Sequence, residues 1–84
     1  GNETFKIVVP TIDKAVKYHL EIFSDSLGKT LTYSADSALP EILWNTNRSG
    51  IYYIKYKVYD NKQRESEFSS FSKLIFPISP LSDW

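Results

Sequence analysis

The sequence contains no cysteine, no methionine and only one histidine. Without cysteine the chain forms no disulfide, no thiolate metal site and no cysteine nucleophile. A single histidine also excludes a histidine cluster for metal binding. The lack of cysteine leaves the cellular compartment open, because periplasmic, surface and cytosolic proteins can all lack it.

Net charge and long apolar runs are also missing. Ten basic and ten acidic residues cancel, so no excess positive field attracts a phosphate backbone, and nucleic acid is disfavoured as a partner. No run approaches the roughly 18–20 apolar residues that cross a bilayer, and the start lacks the pattern of a signal peptide. We expect no membrane insertion in this segment, and Gly1 in place of methionine predicts a piece excised from a longer protein.

The common catalytic motifs are absent as well. There is no glycine-rich phosphate loop, no Gly-x-Ser-x-Gly elbow and no His-x-x-x-His spacing. These absences remove the usual nucleotide, acyl-transfer and zinc chemistries. We therefore expect no catalytic residue, no cofactor and no metal, and we expect that the protein is not an enzyme.

The chain does contain many residues that favour strands. At 84 residues it is long enough for one domain, and its 42% hydrophobic and 15% aromatic content is enough for a core without disulfides. Period-two alternation predicts strands at residues 5–9, 16–22, 30–34, 41–44, 52–59 and 71–76. Breaker residues predict turns at 24–28, 35–40, 45–50 and 60–63.

Turns about every ten residues, with no helical stripe between them, predict an all-β fold. We expect an antiparallel two-sheet sandwich of six or seven short strands. One domain covers residues 1–84, with 1–4 and 79–84 as tails or linker. The predicted core is apolar and alternates along two strands: Val16, Tyr18, Leu20, Ile22, Tyr52, Ile54, Tyr56 and Val58.

Residues 16–22 (VKYHLEI) and 49–61 (SGIYYIKYKVYDN) resemble two strands of fibronectin type III-like, immunoglobulin-like domains. The resemblance implies a β-sandwich in which Tyr52 is a corner tyrosine that hydrogen-bonds to backbone. That family places two strands before the Tyr18 strand, and this chain has room for about one. The first sandwich strand is then missing from this segment or supplied by a neighbour. A weaker resemblance links the chain, with its closing Pro77, Pro80 and Trp84, to the three-tyrosine module of bacterial two-component regulators.

Four residues on the outer face of the 52–59 strand form the candidate ligand or partner surface: Tyr53, Lys55, Lys57 and Tyr59. Exposed tyrosines are suited to stacking on sugar rings or to a protein interface. The alternative is that both lysines lie over neighbouring rings as ordinary sheet cover. Trp44 is either a core residue or part of this surface, and Trp84 is expected to pack on a following domain.

The remaining polar residues have simpler expected roles. His19 lies on the face opposite Tyr18 and is expected at the surface. We expect Asp25, Asp36 and Asp60 to cap backbone groups in three turns. Glu65 and Glu67 are expected to be solvated.

The sequence therefore predicts a non-catalytic β-sandwich module, a spacer or protein-interaction domain, in a larger surface, periplasmic or secreted protein. Its expected partners are neighbouring domains of the parent protein, a protein or glycan ligand, or a second copy paired through an open sheet edge. The alternatives are a carbohydrate-binding module and a sensor-linked three-tyrosine signalling module. Asn2 and Asn47 fit the N-glycosylation pattern, which matters only in a secreted eukaryotic protein.

Overall fold

The computed structural model describes residues 3–76, which form an all-β fold, as predicted. Six strands follow in chain order: β1 (Glu3–Val8), β2 (Lys17–Phe23), β3 (Leu31–Ser37), β4 (Glu41–Thr46), β5 (Gly50–Tyr59) and β6 (Ser72–Phe76). Within those residues no helix has the length and apolar character to cross a membrane. The predictions for Asn2, Pro77, Pro80, residues 79–84 and Trp84 fall outside the described residues.

The six strands form two antiparallel sheets that make a sandwich. The smaller sheet has the order β1-β4, and the larger has the order β3-β2-β5-β6. In the larger sheet β2 and β5 are neighbours, and their register pairs Tyr18 with Val58 and Ile22 with Ile54. Because side chains alternate between the faces of a strand, these paired positions share one inner face.

The core lies between the two sheets. Its buried members are Val9, Tyr18, Leu20, Ile22, Ile42, Trp44, Tyr52 and Ile54. Leu20 and Ile22 are the most enclosed, at 1% and 0% exposed. Trp44 in the smaller sheet packs edge-on against Tyr52 in the larger one, with ring centroids 4.8 Å apart. This contact joins the two layers.

The prediction that Val16 belongs to the core is wrong. Val16 is 49% exposed, and it lies one residue before β2, which begins at Lys17. The Val16 amide donates to the carbonyl of Tyr59 at 2.8 Å, so its backbone still continues the pairing between β2 and β5. Tyr56 and Val58 are half-buried and pack against the core.

The predicted turn at residues 35–40 is also partly wrong. β3 continues through Ser37, and Ala35 and Asp36 pair with Leu20 and His19 of β2. The central strand β2 supplies backbone partners for residues 35–37, which outweighs the local preference of these residues for a turn. Asp36 therefore lies in a strand and does not cap a turn.

Two other aspartates do cap turns, as predicted. Asp25 accepts hydrogen bonds from the amides of Leu27, Lys29 and Thr30, the shortest at 2.8 Å. Asp60 accepts from the amides of Lys62 and Arg64 at 2.8 and 2.9 Å. These bonds lower the pKa of both carboxyl groups, the largest effect coming from the Thr30 amide at Asp25 and from the Arg64 amide at Asp60.

The first and last described residues lie at the same end of the sandwich. Glu3 pairs with Thr46 and Phe76 pairs with Gly50. Thr46 and Gly50 are joined by the three-residue connection 47–49. We call this the connection end. The loops 9–16, 38–40 and 60–65 lie at the opposite end, the loop end.

Candidate functional site: the outer face of the larger sheet

The predicted surface residues lie together on the outer face of β5. The register sets Tyr53 beside Phe23, Lys55 beside Glu21, Lys57 beside His19, and Tyr59 beside Lys17. All four β5 residues are partly exposed. The alternation of β5 and β2 thus builds a face on which aromatic rings and charged groups interleave.

Residues 65–71 run beside β5 and bring two phenylalanines to this face. The amides of Ser66 and Ser69 donate to the carbonyls of Val58 and Tyr56 at 2.9 and 2.8 Å. Their hydroxyl oxygens accept from the amides of the same two β5 residues. Each serine thus makes two hydrogen bonds to one β5 residue, which fixes the position of the segment.

Phe68 and Phe71 complete the outer face, a role that was not predicted from the sequence. The Phe71 ring packs edge-on against Phe23 at 5.6 Å, and the Phe68 ring lies 6.2 Å from the ring of His19. The feature of the sequence that could have indicated this role is the run Ser66–Phe71, which contains two phenylalanines between serines. The outer face thus combines the lysines of β2 and β5 with five aromatic rings: Phe23, Tyr53, Tyr59, Phe68 and Phe71.

The lysine ammonium groups lie close to these rings. Lys55 Nζ is 4.2 Å from the centroid of Phe68, and Lys57 Nζ is 4.8 Å from the same ring. Lys17 Nζ is 4.2 Å from the centroid of Tyr59. At exposed sites each such cation-π contact is worth about 0.5–1 kcal/mol. These contacts are those that the sheet-cover alternative predicts for Lys55 and Lys57, whose ammonium groups lie over a neighbouring ring.

Trp44 and Tyr52 belong to the interior. Trp44 is 3% exposed, so it is a core residue and contributes nothing to an outer binding surface. Tyr52 is 5% exposed, and its hydroxyl donates to the carbonyl of Arg48 at 2.7 Å. This is a bond from a buried tyrosine to backbone four residues upstream.

His19 is held between two carboxylates. Its Nε2 lies 2.9 Å from Glu21 Oε2, and its Nδ1 lies 2.5 Å from Asp36 Oδ1. Burial lowers the pKa of His19, but the hydrogen bonds to Glu21 and Asp36 and their negative charges outweigh it, so the pKa is raised above 6.5. Through its contact with Asp36, His19 links the edge strand β3 to β2.

The pH dependence of stability follows from this shift. Because the folded pKa of His19 is raised, its contribution is fully present below the unfolded value of 6.5 and is lost as pH rises through the folded pKa. We expect the free energy of unfolding, measured by urea denaturation, to fall as the pH rises above about 6.5. In His19→Gln this slope should be flatter. An equal slope in both proteins would contradict the role of His19.

In the described part of the chain no group of three or more His, Cys, Asp or Glu side chains is placed to hold a metal ion. Glu65 forms an ion pair with Lys57 at 2.8 Å. This contact lowers the pKa of Glu65 and raises that of Lys57. Lys57 and Glu65 thus neutralise each other's charge.

No family model, no curated protein and no solved structure matches the chain. Its function is therefore inferred from its own geometry.

Proposed function

We propose that this chain is a non-catalytic β-sandwich module of a larger surface, periplasmic or secreted protein, and that it acts as a protein-interaction domain. The observation that carries the proposal is the loop end, where the loops 9–16, 38–40 and 60–65 lie together at the end of the sandwich opposite Glu3 and Phe76. Loops that a rigid sheet scaffold holds in place are where binding residues are most often found.

The loop end has the features of an ordered interaction surface. Loops 13–16 and 60–65 line a shared groove. Lys14 and Gln63, one in each loop, have positive φ angles of 67° and 63°. Non-glycine residues keep this conformation only where the surrounding structure fixes it. Asp60 supplies part of that restraint through its bonds to the backbone of its own loop.

The proposal includes fibronectin type III-like identity. Two features support it: β2 and β5 are adjacent central strands, and the Tyr52 hydroxyl bonds to the Arg48 carbonyl. The family pattern has two strands before β2, whereas the described residues contain one. The glycan-binding alternative has less support, since Trp44 is buried and lysines lie over Phe68 and Tyr59.

Site-specific photo-crosslinking in the parent protein tests the interaction role. A benzophenone amino acid at Asn61, in the loop end, is expected to form adducts with a different protein. The matched control carries the same group at Ser26, an exposed residue in a loop at the connection end. Adducts from both sites that lie only within the parent polypeptide would support a spacer and contradict the interaction domain.

A further inference from the structure

The two carboxylates that contact His19 lie on different strands. Nε2 of His19 lies 2.9 Å from Oε2 of Glu21, two residues further along β2, and Nδ1 lies 2.5 Å from Oδ1 of Asp36 on β3. His19 and Asp36 are partners in the register of the two strands. The contact with Glu21 therefore stays within one strand, whereas the contact with Asp36 joins the edge strand to its neighbour.

The number of protons on the ring decides whether both contacts can be kept. A protonated imidazolium has an N–H on each nitrogen and donates to both carboxylates. A neutral ring has one N–H, and its other nitrogen is an acceptor, as an ionised carboxylate oxygen also is. Two acceptors at hydrogen-bond distance repel each other. When His19 loses its proton, one of the two contacts therefore breaks.

The exposure of the carboxylates decides which contact breaks. The side chain of Glu21 is 22% exposed and that of Asp36 is 51% exposed. A carboxylate that loses its donor is destabilised least where water can replace the donor. Asp36 also keeps a positive neighbour, because its Oδ2 lies 4.0 Å from Nζ of Lys17. The neutral ring should therefore keep the N–H that faces Glu21 and lose the contact with Asp36.

The other charged groups near the ring do not hold β3 in place of this contact. Lys57, the register partner of His19 on β5, is paired with Glu65 at 2.8 Å. Lys55 lies over the ring of Phe68. The titratable groups on this part of the outer face are Lys17, Glu21, Asp36, Lys55, Lys57, Tyr59 and Glu65. Of these, Asp36 alone belongs to β3.

We propose that His19 and Asp36 form a proton-dependent clamp, in which protonated His19 holds residues 35–37 of β3 on β2 and neutral His19 releases them. Within the described residues β3 has β2 as its one neighbour in the sheet, so this end can open without breaking another strand pair. Residues 35–37 lead directly into loop 38–40 of the loop end. The clamp goes beyond the proposed function and does not depend on it.

The pH at which the clamp opens follows from two opposing effects. Burial lowers the pKa of His19, while the hydrogen bonds and charges of Glu21 and Asp36 raise it, and the net result is a pKa above 6.5. The clamp is therefore closed below about pH 6.5 and opens as the pH rises through the folded pKa.

NMR of the histidine ring tests which contact is lost. The chain has one histidine, so the ring ¹⁵N signals belong to His19. Both nitrogens should be protonated at the acidic end of the titration. At the basic end Nδ1 should have lost its proton and Nε2 should have kept it.

Amide hydrogen exchange tests whether the strand is released. Alternate amides of β3 donate to β2. Their protection factors, corrected for the pH dependence of intrinsic exchange, should fall about threefold to tenfold at residues 35–37 as His19 loses its proton. The amides of β6, at the opposite edge of the same sheet, are the internal control and should keep their protection.

A pair of variants isolates the charge of Asp36. In Asp36→Asn the side-chain amide can accept from a protonated Nδ1 and donate to a neutral one, so the contact survives in both states. The fall in protection at residues 35–37 should then disappear. Glu41→Gln removes the same charge from β4, where Glu41 pairs with Lys6, and should leave the fall unchanged. If Asp36→Asn does not fold, the two wild-type measurements still decide.

Four results would overturn the proposal. They are a neutral ring that keeps its proton on Nδ1, constant protection at residues 35–37 through the titration, an equal loss of protection in β6, and an undiminished loss in Asp36→Asn. An equal loss in β6 would show that His19 acts on the whole fold and not on the end of β3. None of these results bears on crosslinking from Asn61, so the two proposals fail separately.

Discussion

Replacing Tyr52 with alanine is expected to lower the free energy of unfolding by about 3–5 kcal/mol, the scale for removing a buried aromatic side chain. Tyr52 is 5% exposed, and its ring packs edge-on against Trp44 between the sheets. A chain of 84 residues has a total stability of about 4–13 kcal/mol, so this loss is a large part of the total. Urea denaturation followed by circular dichroism measures the change.

Tyr52→Phe is the matched control, because it keeps the ring and removes only the hydroxyl that donates to Arg48. Losing this one hydrogen bond should cost about 0.5–1.5 kcal/mol. The large difference expected between the two variants separates packing from hydrogen bonding. A Tyr52→Ala protein that unfolds at the wild-type urea concentration would show that Tyr52 lies outside the core.

Trp44→Ala is expected to cost about 3–5 kcal/mol as well. The indole is 3% exposed and contacts both Phe5 within its own sheet and Tyr52 across the core. Alanine would leave a cavity between the two sheets that these rings cannot fill. Thermal denaturation should show a strongly reduced Tm.

The neighbouring residue provides the control for this variant. Leu43 is 65% exposed on the opposite face of β4, and Leu43→Ala should change stability by no more than about 0.5 kcal/mol. Equal losses from both variants would mean that the register of β4 is wrong. A stable Trp44→Ala protein that had lost glycan binding would instead revive the carbohydrate-binding alternative.

The strand pattern could be predicted because alternation of apolar and polar residues is a local property. It identified β2 and β5, and it placed Tyr53, Lys55, Lys57 and Tyr59 on one face. The same reasoning located the Asp25 and Asp60 caps, since an aspartate bonds to amides a few residues away. Neither prediction depends on a contact between residues that are distant in the sequence.

The errors arose where distant segments meet. Val16 alternates correctly with Tyr18, but nothing from the smaller sheet covers it, and it is exposed. Asp36 looks like a turn residue, yet β2 pairs with it and His19 bonds to it. In both cases a neighbour remote in sequence determined the outcome.

The sequence by itself determined the all-β class, the positions of most strands and which residues of β5 face outward, because these follow from the period of a single extended strand. Only the tertiary structure decided that Trp44 is buried, that Phe68 and Phe71 cover the outer face, that Glu3 and Phe76 lie at one end, and that within residues 3–76 β1 pairs with β4 alone. These features depend on which strands pair and on how two sheets of unequal width stack. Such long-range pairing produces no periodic pattern of residues in the sequence.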